Sequence, residues 1–161
     1  MNTPLDPSAL QLVLDGETDI VVRRDFTHPP ARVWRALTEP ELIRRWMSSH
    51  DDMTRCEMDL RPGGSFLYAW PEFHFSGPIL AVDAPHRLVH VEHFNGDTSS
   101  GPTITTDLVA RGTGTRMTMV MRYANAEARA AAIEAGFTDG FDAVFGRLET
   151  LTRNLADAAQ G

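Results

Sequence analysis

Cys56-Glu57-Met58-Asp59-Leu60-Arg61-Pro62-Gly63-Gly64-Ser65-Phe66-Leu67-Tyr68-Ala69-Trp70 reads as a β-hairpin with one apolar face. Cys56, Met58 and Leu60 alternate with Glu57 and Asp59. Beyond the Pro-Gly-Gly turn, Phe66, Tyr68 and Trp70 again take every second position. That two-residue period belongs to strands covered on one side only. The glycines permit the turn, and Arg61 is placed to pair with a nearby acid. Cys56 shares the apolar face, which predicts a buried, inert thiol. A row of three aromatic side chains needs a cover, and the rest of the chain supplies one.

Outward from the hairpin, the same period recurs. Thr18 to Phe26 is rich in β-branched residues and ends before His28-Pro29-Pro30, where proline stops a ladder. His74 to Val82 and Arg87 to Phe94 flank Asp83-Ala84-Pro85-His86. Thr103 to Ala110 and Arg116 to Tyr123 flank Arg111-Gly112-Thr113-Gly114-Thr115, with Met117, Met119, Met121 and Tyr123 on one face. Between the first strand and the hairpin lie two short helices. Val33, Ala36 and Leu37 carry the first, which Pro29 and Pro30 open. Leu42, Ile43 and Trp46 carry the second, with Thr38 and Glu41 in capping-box relation. The last quarter is helical from the N-cap Asn125. Ile133, Phe137, Phe141 and onward to Leu155 recur at steps of three and four; Gly136 predicts a break, with Thr138 capping a longer second helix that carries a wide apolar face.

Composition limits what this architecture can do. The chain has 161 residues, 42% hydrophobic and 23% charged, with a formal net charge of −7. It is long enough to bury a core without disulfides, and Cys56 is its single cysteine, which predicts a cytoplasmic protein. No apolar run reaches the roughly 20 residues of a membrane span. Arginines come in isolated pairs, Arg23-Arg24 and Arg44-Arg45, not in the cationic cluster that nucleic acid requires. Residues 1–15 read as a flexible leader and 16–161 as one domain. The expectation is an α+β domain: about seven antiparallel strands in a curved sheet, two short helices after the first strand, and a long C-terminal helix across one face. A homodimer stays open.

Several segments together resemble a known family: Val33-Trp34-Arg35-Ala36-Leu37-Thr38-Glu39-Pro40-Glu41-Leu42 with Trp46, then Glu57 to Gly64, Pro85 to Val89, Gly114 to Thr118, and Ala126 to Arg129. They are similar to the bacterial branch related to the activator of heat-shock protein 90 ATPase, within the START-like or SRPBCC superfamily that includes polyketide cyclases and the major birch pollen allergen. The resemblance covers about Asp19 to Leu155. It implies a helix-grip fold in which a curved sheet wraps the terminal helix around a hydrophobic cavity. It implies no single reaction, because the superfamily spans enzymes, carriers and adaptors.

The candidate ligand-binding residues are Trp34, Trp46, Phe66, Tyr68, Trp70, His90, Met117, Met119, Met121, Phe137 and Phe141. The aromatic row and the methionine stripe fit core packing and the wall of a permissive cavity alike. Tyr68 adds a phenol that needs a partner when buried. His90 and Glu92 share a strand face and form the candidate acid–base pair for a cyclase, dehydratase or hydrolase-like reaction. His86 and His90 stand about 13 Å apart on a strand and His93 faces the other way, so the three cannot share a metal ion. No cofactor motif is present: there is no P-loop, dinucleotide fingerprint, nucleophile elbow or H-E-x-x-H. The reading is a small hydrophobic ligand held between sheet and helix, with an enzyme and a chaperone-related interaction module as alternatives.

Overall fold

The computed structural model describes residues 10–48, 50 and 52–155. Nine strands and four helices follow one another as β1 (Gln11–Asp15), β2 (Asp19–Phe26), α1 (Pro30–Thr38), α2 (Pro40–Met47), β3 (Arg55–Met58), β4 (Ser65–Ala69), β5 (His74–Asp83), β6 (Arg87–Val91), β7 (His93–Phe94), β8 (Thr103–Arg111), β9 (Gly114–Arg122), α3 (Ala126–Glu134) and α4 (Phe141–Asn154). All strands pair antiparallel in the order β1-β2-β9-β8-β6-β5-β4-β3, with β7 paired to β5. The α+β helix-grip architecture stands, with two corrections. Residues 11–15, expected in the leader, form β1 at the sheet edge, and the expected strand Arg87 to Phe94 divides at Glu92 into β6 and β7. The leader's first nine residues lie outside those described.

Register fixes which side chains face the helices. Ile79, His90, Ile104, Met121 and Ile20 stand side by side across five strands on the inner face. The outer face carries ion pairs directly opposite one another: Asp19 with Arg122 at 2.9 Å, Asp25 with Arg116 at 2.8 Å and Arg87 with Asp107 at 2.8 Å. A one-residue slip would separate every pair and turn the apolar row outward. The Arg122 guanidinium holds the Asp19 carboxyl below its usual range, and Arg116 does the same for Asp25.

The helix ends correct two expected caps. Thr38 remains inside α1, where its hydroxyl donates to the Trp34 carbonyl at 2.7 Å, and Glu39 becomes the boundary residue shared by α1 and α2. The second helix therefore starts without a side-chain cap. Gly140, not Thr138, precedes α4. Asn125 does cap α3, accepting from the Ala128 amide at 2.8 Å, and Gly136 breaks the helix at φ +84°. That left-handed conformation strains any residue with a Cβ.

The core is densest where α1, α2 and the C-terminal half of α4 meet the sheet. Phe26, Val33, Trp34, Trp46, Met117, Leu108, Phe145 and Leu148 are buried there. The same end carries a polar clasp. Glu149, 6% exposed, accepts from the Thr27 amide at 3.0 Å and from the Thr152 hydroxyl at 3.2 Å. Beside it, Arg32 Nη1 donates to His28 Nδ1 at 2.6 Å, and the Thr115 hydroxyl donates to the His28 carbonyl at 2.7 Å. An accepting Nδ1 defines a neutral imidazole. Burial, reinforced by the Arg32 charge, pushes the His28 pKa below its ordinary 6.5.

The sign of that shift makes a prediction. Below pH 6.5 the unfolded chain binds a proton at position 28 before the folded chain does. This histidine's contribution is therefore complete above pH 6.5 and declines as the pH falls from there toward the folded-state pKa. Urea titrations of wild type and His28→Gln between pH 7.5 and 5 are expected to show the wild type losing stability faster. Parallel curves would remove His28 as the cause.

Candidate functional site

Inward-facing residues do not share one degree of burial. Beneath α1 and the end of α4 they are enclosed, whereas toward β4, β5 and the α3–α4 turn they open. Tyr68, Phe75, His90, Glu92 and Met119 on the sheet side, and Phe137 and Phe141 on the helical side, are only partly buried. Burial between the sheet and the helical layer is thus complete at one end of this wedge and partial at the other.

Local sequence explains how the open end is lined. Gly77 lets β4, β5 and β6 approach, since a Cβ there would fall on the Val91 carbonyl. Its neighbours in register, Phe66 and Tyr68 with Phe75, are thereby brought together. The Phe66 ring lies 4.8 Å from Tyr68 and 5.0 Å, edge-on, from His90. From Phe75 a line of rings continues to Phe137 at 6.1 Å, Phe141 at 5.7 Å, Phe145 at 5.9 Å and Trp46 at 6.2 Å. Such spacings suit edge-to-face and offset contacts. Helix α3, with none of its residues buried, rests at this end.

Within that aromatic surround sits a polar group of four. His90 Nε2 lies 3.7 Å from Glu92 Oε1, and the two side chains are 14% and 16% exposed. They lie on the concave side of the sheet, as the acid–base pair requires. Burial pushes the Tyr68 phenol far above its ordinary value and Tyr123 up to about 12, and in both the Glu92 carboxylate adds to the rise. The buried His90 Nδ1 has no hydrogen-bond partner among the described residues.

The expected site residues divide accordingly. Tyr68, His90, Glu92, Met119, Phe137 and Phe141 gather at the open end, with Phe66 buried behind them. Trp34, Trp46, Met117 and Met121 are core, from 0 to 8% exposed, and Trp46 spends its indole N–H on the Ala36 carbonyl at 2.8 Å. Trp70 follows β4 and stacks on Phe73 at 4.8 Å in a cluster with Phe75 and Phe94 at the hairpin tip. Cys56 is buried with its thiol pushed up by desolvation, and Arg61 pairs with Asp59 at 2.9 Å. Tyr123 and Phe75 escaped the candidate residues. Phe75 keeps step with Gly77 and Ile79 along β5, and Tyr123 continues the methionine stripe, so both periods pointed inward.

A separate groove of about 510 Å³ runs along α4 against Arg45 of α2. No strand residue lines it, so it does not belong to the wedge. Among the described residues no group of three His, Cys, Asp or Glu side chains could hold a metal ion, and no helix is long and apolar enough to cross a membrane.

Comparison with known proteins follows the fold. The profile of the family described as activator of Hsp90 ATPase homolog 1-like protein matches residues 27–153. No curated protein matches the chain. Among solved structures, a protein from Rhodobacter sphaeroides superposes with a TM-score of 0.80 at 26% identity, covering 91% of this chain and 99% of its own. One from Nitrosomonas europaea gives 0.75 at 30% identity, covering 88% and 98%. One from Mycobacterium smegmatis gives 0.79 at 23% identity over 89% and 96%, which shows the fold alone.

Proposed function

The chain belongs to the family of activator of Hsp90 ATPase homolog 1-like proteins, and on that premise we propose that it binds a small hydrophobic molecule in the open end of the wedge. The observation that carries this reading is the loss of full burial around Tyr68, Phe75, Met119, Phe137 and Phe141, all inward-facing and all apolar in bulk. A guest would gain about 25 cal/mol for each Å² of apolar surface withdrawn from water, while the polar group of four sets its orientation. The methionine and the glycine-flanked rings let the site adapt to the guest's outline.

The test fills the space. Met119→Trp is expected to weaken a hydrophobic fluorescent probe at least about tenfold, on the order of 1.4 kcal/mol, with the far-ultraviolet circular dichroism unchanged. Undiminished probe binding in a folded variant would remove the wedge as the site.

The proximity of His90 to Glu92 favours a second reading, in which the same cavity catalyses proton transfer on its guest. His90 would take or give the proton and Glu92 would steady the imidazolium.

A further inference from the structure

Resting on the binding reading, the structure also speaks to the chemistry of the guest. The Glu92 carboxylate has no hydrogen-bond donor among the described residues: His90 Nε2, at 3.7 Å, stands beyond hydrogen-bond distance. The Tyr68 and Tyr123 hydroxyls likewise make no hydrogen bond to a described residue. Glu92 is 16% exposed and Tyr68 only partly buried, so both reach the less enclosed end. Two phenol hydroxyls and one carboxylate, none of them hydrogen-bonded to a described residue, therefore stand together in a setting of Phe66, Phe75 and Phe137.

We propose that the guest is an apolar, ring-sized molecule whose polar end is a hydrogen-bond donor, a hydroxyl or an amine, received by Glu92, and that carboxylic acids are rejected. A phenol hydroxyl turns to donate or accept as needed, so Tyr68 and Tyr123 accommodate either kind of head. Glu92 discriminates. A donor placed on it makes a charge-assisted hydrogen bond, stronger than one between neutral groups. A second carboxylate beside it would be repelled by the like charge, the more strongly for the partial burial of the site. Among the described residues no arginine is hydrogen-bonded or ion-paired to Glu92, Tyr68 or Tyr123, so no cation is held on these groups to receive an acid.

Calorimetric titration of the full chain with naphthol, its methyl ether and naphthoate separates the cases, because the three share one ring system. Naphthol is expected to bind at least about tenfold tighter than the ether, with naphthoate weakest. Glu92→Met should bring naphthol and the ether within about threefold of each other. Glu92→Gln, which keeps an acceptor and loses the charge, should restore naphthoate by about tenfold or more. Thermal midpoints near that of the wild type certify the variants as folded. Equal binding of all three by the wild type overturns the donor proposal and leaves the wedge reading standing. Tightest binding of naphthoate overturns it in favour of His90 as a protonated receptor. No binding of any of them ends both.

Discussion

Trp46→Ala is expected to remove about 3–5 kcal/mol of stability, the usual cost of emptying a buried aromatic site. The indole is 4% exposed, stacks on Phe145 of α4 and donates to the Ala36 carbonyl of α1, while the Trp46 backbone carbonyl accepts from Arg147 Nε at 2.9 Å. One side chain thus ties α1, α2 and α4 together. Against the 5–15 kcal/mol that holds a typical domain, its loss leaves a marginal fold. Urea denaturation should show a much lower midpoint at nearly constant slope. Trp46→Phe keeps most of the packing and leaves the Ala36 carbonyl unpaired, so it should cost less, about 1–3 kcal/mol. An alanine variant within 1 kcal/mol of wild type would show that the three helices hold together without this ring.

Gly77→Ala is expected to be as damaging through the backbone as Trp46→Ala is through packing. The added Cβ would coincide with the Val91 carbonyl, and a main-chain atom held in a sheet cannot rotate away as a side chain can. Either β5 must move away from β6 or the ladder must break, at a cost of about 3 kcal/mol or more, the upper end for overpacked sites. Because Gly77 sets the approach of Phe66, Tyr68 and Phe75, the variant should also lose hydrophobic-probe binding under conditions where it stays folded. A Gly77→Ala protein with unchanged melting and unchanged probe affinity would show that the close approach of β5 and β6 is dispensable.

The fold was legible because its decisive signals are local. Alternation in the Cys56–Trp70 hairpin, the glycine turn at 112–114, Asn125 and the φ-positive Gly136 each act within a few residues. The edge strand β1 was not legible: Gln11–Asp15 exposes all five residues, so it lacks the one-sided burial that marks a strand. Thr38 misled because a capping pattern straddled two helices that abut at Glu39. The site divides in the same way. His90 and Glu92 were visible as positions two apart on one strand, and Tyr68 as part of the hairpin row. Their meeting with Tyr123 depends on β9 lying two places from β6 in the sheet, which no local pattern encodes. Sequence likewise could not divide the aromatic and methionine stripes into packed and open halves. Met117 and Met121 are sealed while Met119 between them is not, a difference set by what covers each one.

That division between a sealed end and a loose end has a bearing on descent. Residues that keep the chain folded and residues that would greet a visitor are largely different residues, so drift at one set need not endanger the other. On the proposed binding reading, a change of guest would need only a handful of altered side chains near the α3–α4 turn, while the buried remainder preserves the shape at identities as low as those seen among its structural kin.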